Sequence, residues 1–118
     1  MRAINNLNIV IPCDNFETKK IIQAAVNFNE PLFVRFGKKP MLKIHNDNQS
    51  FKIGKGISIK EGKDLVFIAT GETVQRAYQA IEILEKDNFE CTLISMHTIK
   101  PFDETLFLNS IKHTKGII

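Results

Sequence analysis

The chain has no tryptophan, one tyrosine and only two cysteines in 118 residues. Cys13 and Cys91 stand far apart and match neither a metal nor a redox spacing. They read as reduced thiols, which excludes a disulfide-stapled secreted scaffold and points to the cytoplasm. Long apolar runs are missing as well. The longest is Leu65-Val66-Phe67-Ile68-Ala69, far short of the ~20 residues a membrane-spanning helix requires, so no membrane partner is expected. Behind Met1-Arg2-Ala3-Ile4 there is no apolar stretch of the kind a secretory signal carries. Excess charge of one sign is scarce: 16 Lys and Arg against 13 Asp and Glu leave a formal +3, too little for a nucleic-acid binder recognised by charge alone.

What remains is ordinary globular material, 43% hydrophobic and 25% charged. Asn8-Ile9-Val10-Ile11 is a short β-branched run closed by Pro12, and its continuous hydrophobicity suits a strand covered on both faces. Asp14 and Glu17 then form a capping box that opens a helix. Its apolar side is Ile21, Ala24, Ala25 and Phe28, and Pro31 stops it. Leu32-Phe33-Val34-Arg35-Phe36 predicts a second strand. His45 to Ser50 is a polar run with nothing apolar to bury, the best candidate linker. Residues 51–60 alternate apolar and polar, as in an edge strand or hairpin arm. Leu65 to Ala69 is a buried strand. Val74, Ala77, Tyr78, Ile81 and Leu84 repeat at helical spacing, with Asn88 placed for a left-handed cap. Cys91 to Met96 is another strand, and Asp103 caps a last helix carrying Leu106, Phe107 and Ile111. Strands joined by helices run parallel.

A parallel sheet needs cover on both faces and protection at its edges. The first 47 residues or so hold one β-α-β unit, too little for a core of its own, and Lys115-Gly116-Ile117-Ile118 resembles the opening of a further strand. The expectation is therefore an α/β fold of parallel-sheet, three-layer (α/β/α) halves truncated at both ends, a segment of a longer protein. One small doubly wound domain of five or six strands is the alternative.

Arg35 to Lys43 holds four basic residues in nine and no acid. In open α/β sheets ligands bind beyond the carboxyl ends of the strands, where Arg35 to Lys39 would sit. Arg offers a fork and Lys a mobile charge to an anion, and Gly37 lets the backbone approach. A merely solvated loop is the equal alternative. Thr70-Gly71-Glu72-Thr73 joins a strand to a helix N-terminus, a place where backbone N–H groups hold phosphate. The carboxylate of Glu72 would repel an anion there, so a capped helix start is the better reading. His45, His97 and His113 lie on a linker, a post-strand loop and a helix end, with no metal spacing and no carboxylate partner for His97. Cys13, lacking a paired His, reads as packing.

Met96-His97-Thr98-Ile99-Lys100-Pro101-Phe102-Asp103, preceded by Ile68-Ala69-Thr70-Gly71-Glu72-Thr73-Val74, resembles the C-terminal region of transketolase-type enzymes, above all the separate C-terminal subunit of split transketolases. Ile11-Pro12-Cys13-Asp14, Glu17 and Pro31 to Lys38 extend the likeness, which covers essentially the whole chain. The resemblance implies that residues 1–47 end a pyrimidine-binding domain and residues 48–118 begin the C-terminal domain. It implies a transferase that moves a two-carbon ketol unit between sugar phosphates with thiamine diphosphate and a divalent metal, neither bound by this chain alone. It implies an N-terminal transketolase section or subunit as partner, in a homodimer or heterotetramer when complete, and no activity for this chain by itself. Lys38 takes the place where transketolases usually carry the Arg that grips the substrate phosphate, and Arg35 is the neighbouring basic residue. Two members of the superfamily, 1-deoxyxylulose-5-phosphate synthase and the beta subunit of 2-oxo acid dehydrogenases, share this region. A non-catalytic α/β interaction module is the reading from another class.

Overall fold

Residues 1–38 and 40–118 are described by the computed structural model. The chain runs β1 (Asn8–Val10), α1 (Asn15–Ala25), β2 (Leu32–Val34), β3 (Ile57–Lys60), β4 (Leu65–Ala69), α2 (Glu72–Leu84), β5 (Cys91–Ser95), β6 (Thr98–Lys100), α3 (Glu104–Ile111) and β7 (Gly116–Ile117). The order is that of an α/β protein. No helix among the described residues is long and apolar enough to cross a membrane.

The strands form two sheets, ordered β2-β1-β6 and β3-β5-β4-β7. Both helical crossovers that return to the same sheet join parallel neighbours: α1 links β1 to β2 and α2 links β4 to β5. The parallel expectation fails where no helix intervenes. β3 skips its chain neighbour β4 and pairs antiparallel with β5, as an edge strand rather than a hairpin arm. β6 follows β5 after a two-residue turn and pairs antiparallel with β1. Residues from late in the chain thus complete the sheet begun at its start.

Alternation along β4 and β5 sorts the larger core into two layers. Phe67, Cys91 and Leu93 point to one side, where they pack with Cys13, Val74 and Ile81. Val66, Ile94 and Met96 point to the other, against Leu106 of α3. The larger sheet is therefore covered by a helix on each face, as the three-layer expectation required.

Local signals act where they were read, with shifts at the ends. Asp14 caps α1, its Oδ1 accepting from the Glu17 N–H at 2.9 Å. Glu17 reaches one residue further back than in a standard capping box, its Oε2 accepting from the Cys13 N–H at 2.7 Å. α1 ends at Ala25, before Phe28. Asn88 takes the left-handed conformation at φ 64° after a short 3-10 turn. Asp103 caps α3 through the Leu106 N–H and also accepts from the Gly56 N–H, at 3.2 and 3.1 Å, tying α3 to the approach to β3.

Gly71, between β4 and α2, has φ +53°, and a Cβ there would lie 2.5 Å from Ile11 Cγ2. Glycine is needed on both counts, since such backbone costs other residues roughly 1–3 kcal/mol. Gly71→Ala should therefore destabilise the chain by at least about 1 kcal/mol, read as a lower urea midpoint at unchanged slope. An unaltered midpoint would show that Ile11 and the turn yield freely.

Candidate functional site

The carboxyl end of β2 meets the start of α2 across a cleft of about 450 Å³. Its lining combines Arg35, Lys38 and Arg76 with Glu72, Thr70 and Thr73, over Ile11 and Phe36. The two sequence-derived candidates, Arg35 and Lys38, thus share one concavity. Lys39, from the same basic run, lies outside the described residues. Gly37, read as letting the backbone approach an anion, is packed instead against a carboxylate of the chain itself: a Cβ would meet Glu72 Oε1 at 2.7 Å. That carboxylate accepts from the Lys38 backbone N–H at 3.2 Å, so the start of α2 already carries an anion of its own. Among the described residues, no ion-pair partner lies within 4.0 Å of the side chains of Arg35, Lys38 or Arg76. Three exposed cations against one carboxylate leave a cleft suited to an anion.

Arg76 was missed in the sequence. It stands four residues after Glu72, one helical turn on, and so on the same face as the helix start. That spacing was legible, but nothing local indicated that β2 would end opposite it.

A second group of polar side chains is buried in the core, where sequence reading expected a linker and an inert thiol. His45 is 1% exposed, not solvated, and stacks on Phe16 with ring centroids 5.3 Å apart. Asp14 draws it in: Oδ2 accepts from the backbone N–H groups of Ile44 and His45 at 3.0 and 2.9 Å, and lies 3.0 Å from His45 Nδ1. His45 Nε2 faces Glu17 Oε1 at 3.3 Å. Glu17 Oε1 also accepts from the Ser95 hydroxyl at 2.6 Å. Cys13 Sγ lies 3.7 Å from His45 Nδ1, so the thiol has the histidine neighbour that its sequence context did not reveal.

The electrostatics follow from burial. Burial alone would raise the Asp14 carboxyl, but hydrogen bonds from His45, Glu17 and Ile44 hold it well below the usual carboxylate range. Burial raises Glu17, against the Ser95 hydroxyl and His45. Burial pushes the Cys13 thiol up, with the carboxylates of Glu17 and Asp14 adding to it. His97, expected to be solvated or capping, is fully buried and stacks on Phe51 at 4.5 Å. Burial pushes its imidazole down to about 4.

Residues 54–118 match the family described as the transketolase C-terminal domain. The chain belongs to this family. It is 35% identical over 119 residues to an apulose-4-phosphate transketolase subunit of Phocaeicola vulgatus, covering all of this chain and 38% of that protein. It is 33% identical over 120 residues to a 1-deoxy-D-xylulose-5-phosphate synthase of Halothermothrix orenii, covering all of this chain and 19% of that protein. Among solved structures, a split-gene transketolase described as an inactive beta4 tetramer superposes with a TM-score of 0.93 at 27% identity, over 99% of this chain and 39% of that one. The chain thus spans about two-fifths or less of the length of these relatives.

Two measurements probe the buried cluster. Asp14→Ala removes an N-cap, worth about 0.5–2 kcal/mol, and strands the Ile44 and His45 donors; a loss of at least about 2 kcal/mol is expected from denaturant unfolding. His97 binds its proton more weakly folded than unfolded, so its contribution is complete above pH 6.5 and is lost as pH falls towards 4. The loss is on the order of 3 kcal/mol. Glu17, raised by burial, acts in the opposite sense, so the comparison is with His97→Gln. That variant should show a flatter stability profile between pH 7 and pH 4 in urea titrations.

Proposed function

We propose that this chain is a section of a transketolase-type transferase, in which Arg35, Lys38 and Arg76 hold the phosphate of a sugar phosphate while a two-carbon ketol unit is moved. The observation that carries this reading is the cleft at the carboxyl end of β2, where the loop after the strand and the first turns of α2 bring three cations together. Residues 1–47 are assigned to the end of the pyrimidine-binding domain and residues 48–118 to the start of the C-terminal domain. Family membership supports the enzyme class.

The cleft does not suit thiamine diphosphate. Glu72 places a carboxylate at the helix start that a diphosphate would use, and among the described residues no second carboxylate lines the cleft to hold its divalent ion. The cofactor and its metal are therefore assigned to other sections of the enzyme. What this chain contributes is charge and position: Lys38 as a point charge, the two arginines as forks able to grip two oxygens each. Glu72 holds the Lys38 backbone in place and sets the negative limit of the site. An N-terminal transketolase section is the expected partner, in a dimer or heterotetramer, and the two free, buried cysteines agree with a cytoplasmic setting.

The similarity to a 1-deoxy-D-xylulose-5-phosphate synthase favours a second reading within the superfamily, condensation of pyruvate with a triose phosphate. Co-expression with the N-terminal section and a donor-acceptor panel separates the two. In that complete enzyme Lys38→Ala and Arg76→Ala should each lower kcat/KM about 10- to 100-fold, through KM, as loss of a charge-assisted hydrogen bond would. Lys38→Arg should retain activity. Unchanged KM in both alanine variants would remove the phosphate role.

A further inference from the structure

The buried cluster has no task in the phosphate site, and one of its atoms is unexplained. His45 Nε2 is fully buried and makes no hydrogen bond, although Glu17 Oε1 stands 3.3 Å away. Asp14 Oδ2, 3.0 Å from Nδ1, holds the ring so that Nδ1 carries the proton and donates it. Nε2 then presents a bare lone pair to a carboxylate oxygen. With Glu17 ionised, two acceptors then face each other in a water-free interior and repel, unless a proton or a cation lies between them.

We propose that Cys13, Glu17 and His45 form a binding site for a divalent cation of the zinc type, with Asp14 orienting the imidazole from behind. One ligand atom from each of the three lies within 4.8 Å of the others, and all three residues are buried. Thiolate, imidazole and carboxylate are the donor set that zinc accepts. With Zn–N and Zn–O bonds of about 2.0–2.2 Å, two ligands at a tetrahedral angle stand roughly 3.3–3.5 Å apart, which is the separation of Nε2 and Oε1. The carboxylate-histidine pair behind the metal position is the usual arrangement that fixes a ligand's tautomer. Glu17 spends one lone pair of Oε1 on the Ser95 hydroxyl and keeps another for the ion. The Ser95 hydroxyl, 3.8 Å from Cys13 Sγ, is the neighbouring oxygen that would complete the set. The cation offsets the two negative charges of thiolate and carboxylate. Because the ligands are sealed from solvent, it enters as the chain folds.

The rival occupant of the gap is a proton, either a second one on His45 or one on Glu17, whose carboxyl burial raises. The test is to produce the full chain in medium supplemented with Co²⁺ or Zn²⁺ and purify it without chelator. The expected result is about one equivalent of metal retained through dialysis. The Co²⁺ form should show the thiolate charge-transfer and visible bands of a tetrahedral site. Cys13→Ala and His45→Gln should lose more than the roughly 10- to 100-fold in affinity that an outer partner costs, while the exposed His113→Gln retains it. Folding of each variant is checked by circular dichroism, and if neither folds, the spectrum of the unsubstituted chain decides alone. Absence of the charge-transfer band in that chain, or metal binding that survives in folded Cys13→Ala, overturns the proposal and leaves the proton as occupant.

Discussion

A single carboxylate, that of Asp14, organises this molecule. It accepts from the Glu17 N–H inside its own helix and from three donors on the segment after β2: the backbone of Ile44, and the backbone and ring of His45. A buried carboxylate is costly unless its lone pairs are filled, and here four donors fill them. The cap of α1 is thereby also the anchor of the chain leading to the larger sheet. Glu17 extends the tie to Ser95 at the end of β5, and Cys13 sits in the same apolar cluster as Phe67 and Leu93.

This joint is what places the cleft. With the start of α1 held against the end of β5, the loop after β2 lies over the first turn of α2. Two glycines permit the approach: Gly37 against Glu72, and Gly71 against Ile11. The β6 strand reinforces the arrangement by completing the sheet of β1 and β2 from the far part of the chain, and the Ile11 N–H donates to the His97 carbonyl at 2.7 Å. Arg35 and Lys38 from one side and Arg76 from the other then face the same space. The cations remain exposed and able to meet a ligand, while the carboxylates of Asp14 and Glu17 are hydrogen-bonded within the core.

How far this was legible depended on the range of each interaction. Leu65 to Ala69 reads as a strand from its own five residues, and α2 from its apolar spacing, because both signals lie within a few turns of backbone. The Asp14 cap and the left-handed Asn88 were readable for the same reason. β6 was not: Thr98 and Ile99 are β-branched, but three residues beside Pro101 are too short a run to mark a strand, and they become one because β1 offers an unpaired edge. His45 misled for a related reason. Its polar neighbours Asn46, Asp47 and Asn48 mark a loop, and the loop is real, but the imidazole leaves it for a carboxylate 31 residues away.

The amino-acid order by itself determined the α/β alternation, the caps of α1 and α3, the basic character of the loop after β2 and, through the Met96 to Asp103 motif, the family. These rest on neighbours along the chain, whose geometry backbone sterics and local hydrogen bonds restrict. Only the tertiary structure decided that β3 and β6 run antiparallel, that Arg76 joins Arg35 and Lys38, and that Cys13, Glu17 and His45 meet. Those outcomes depend on how sheets and helices bury one another, an energy summed over contacts distant in sequence, which no local pattern encodes.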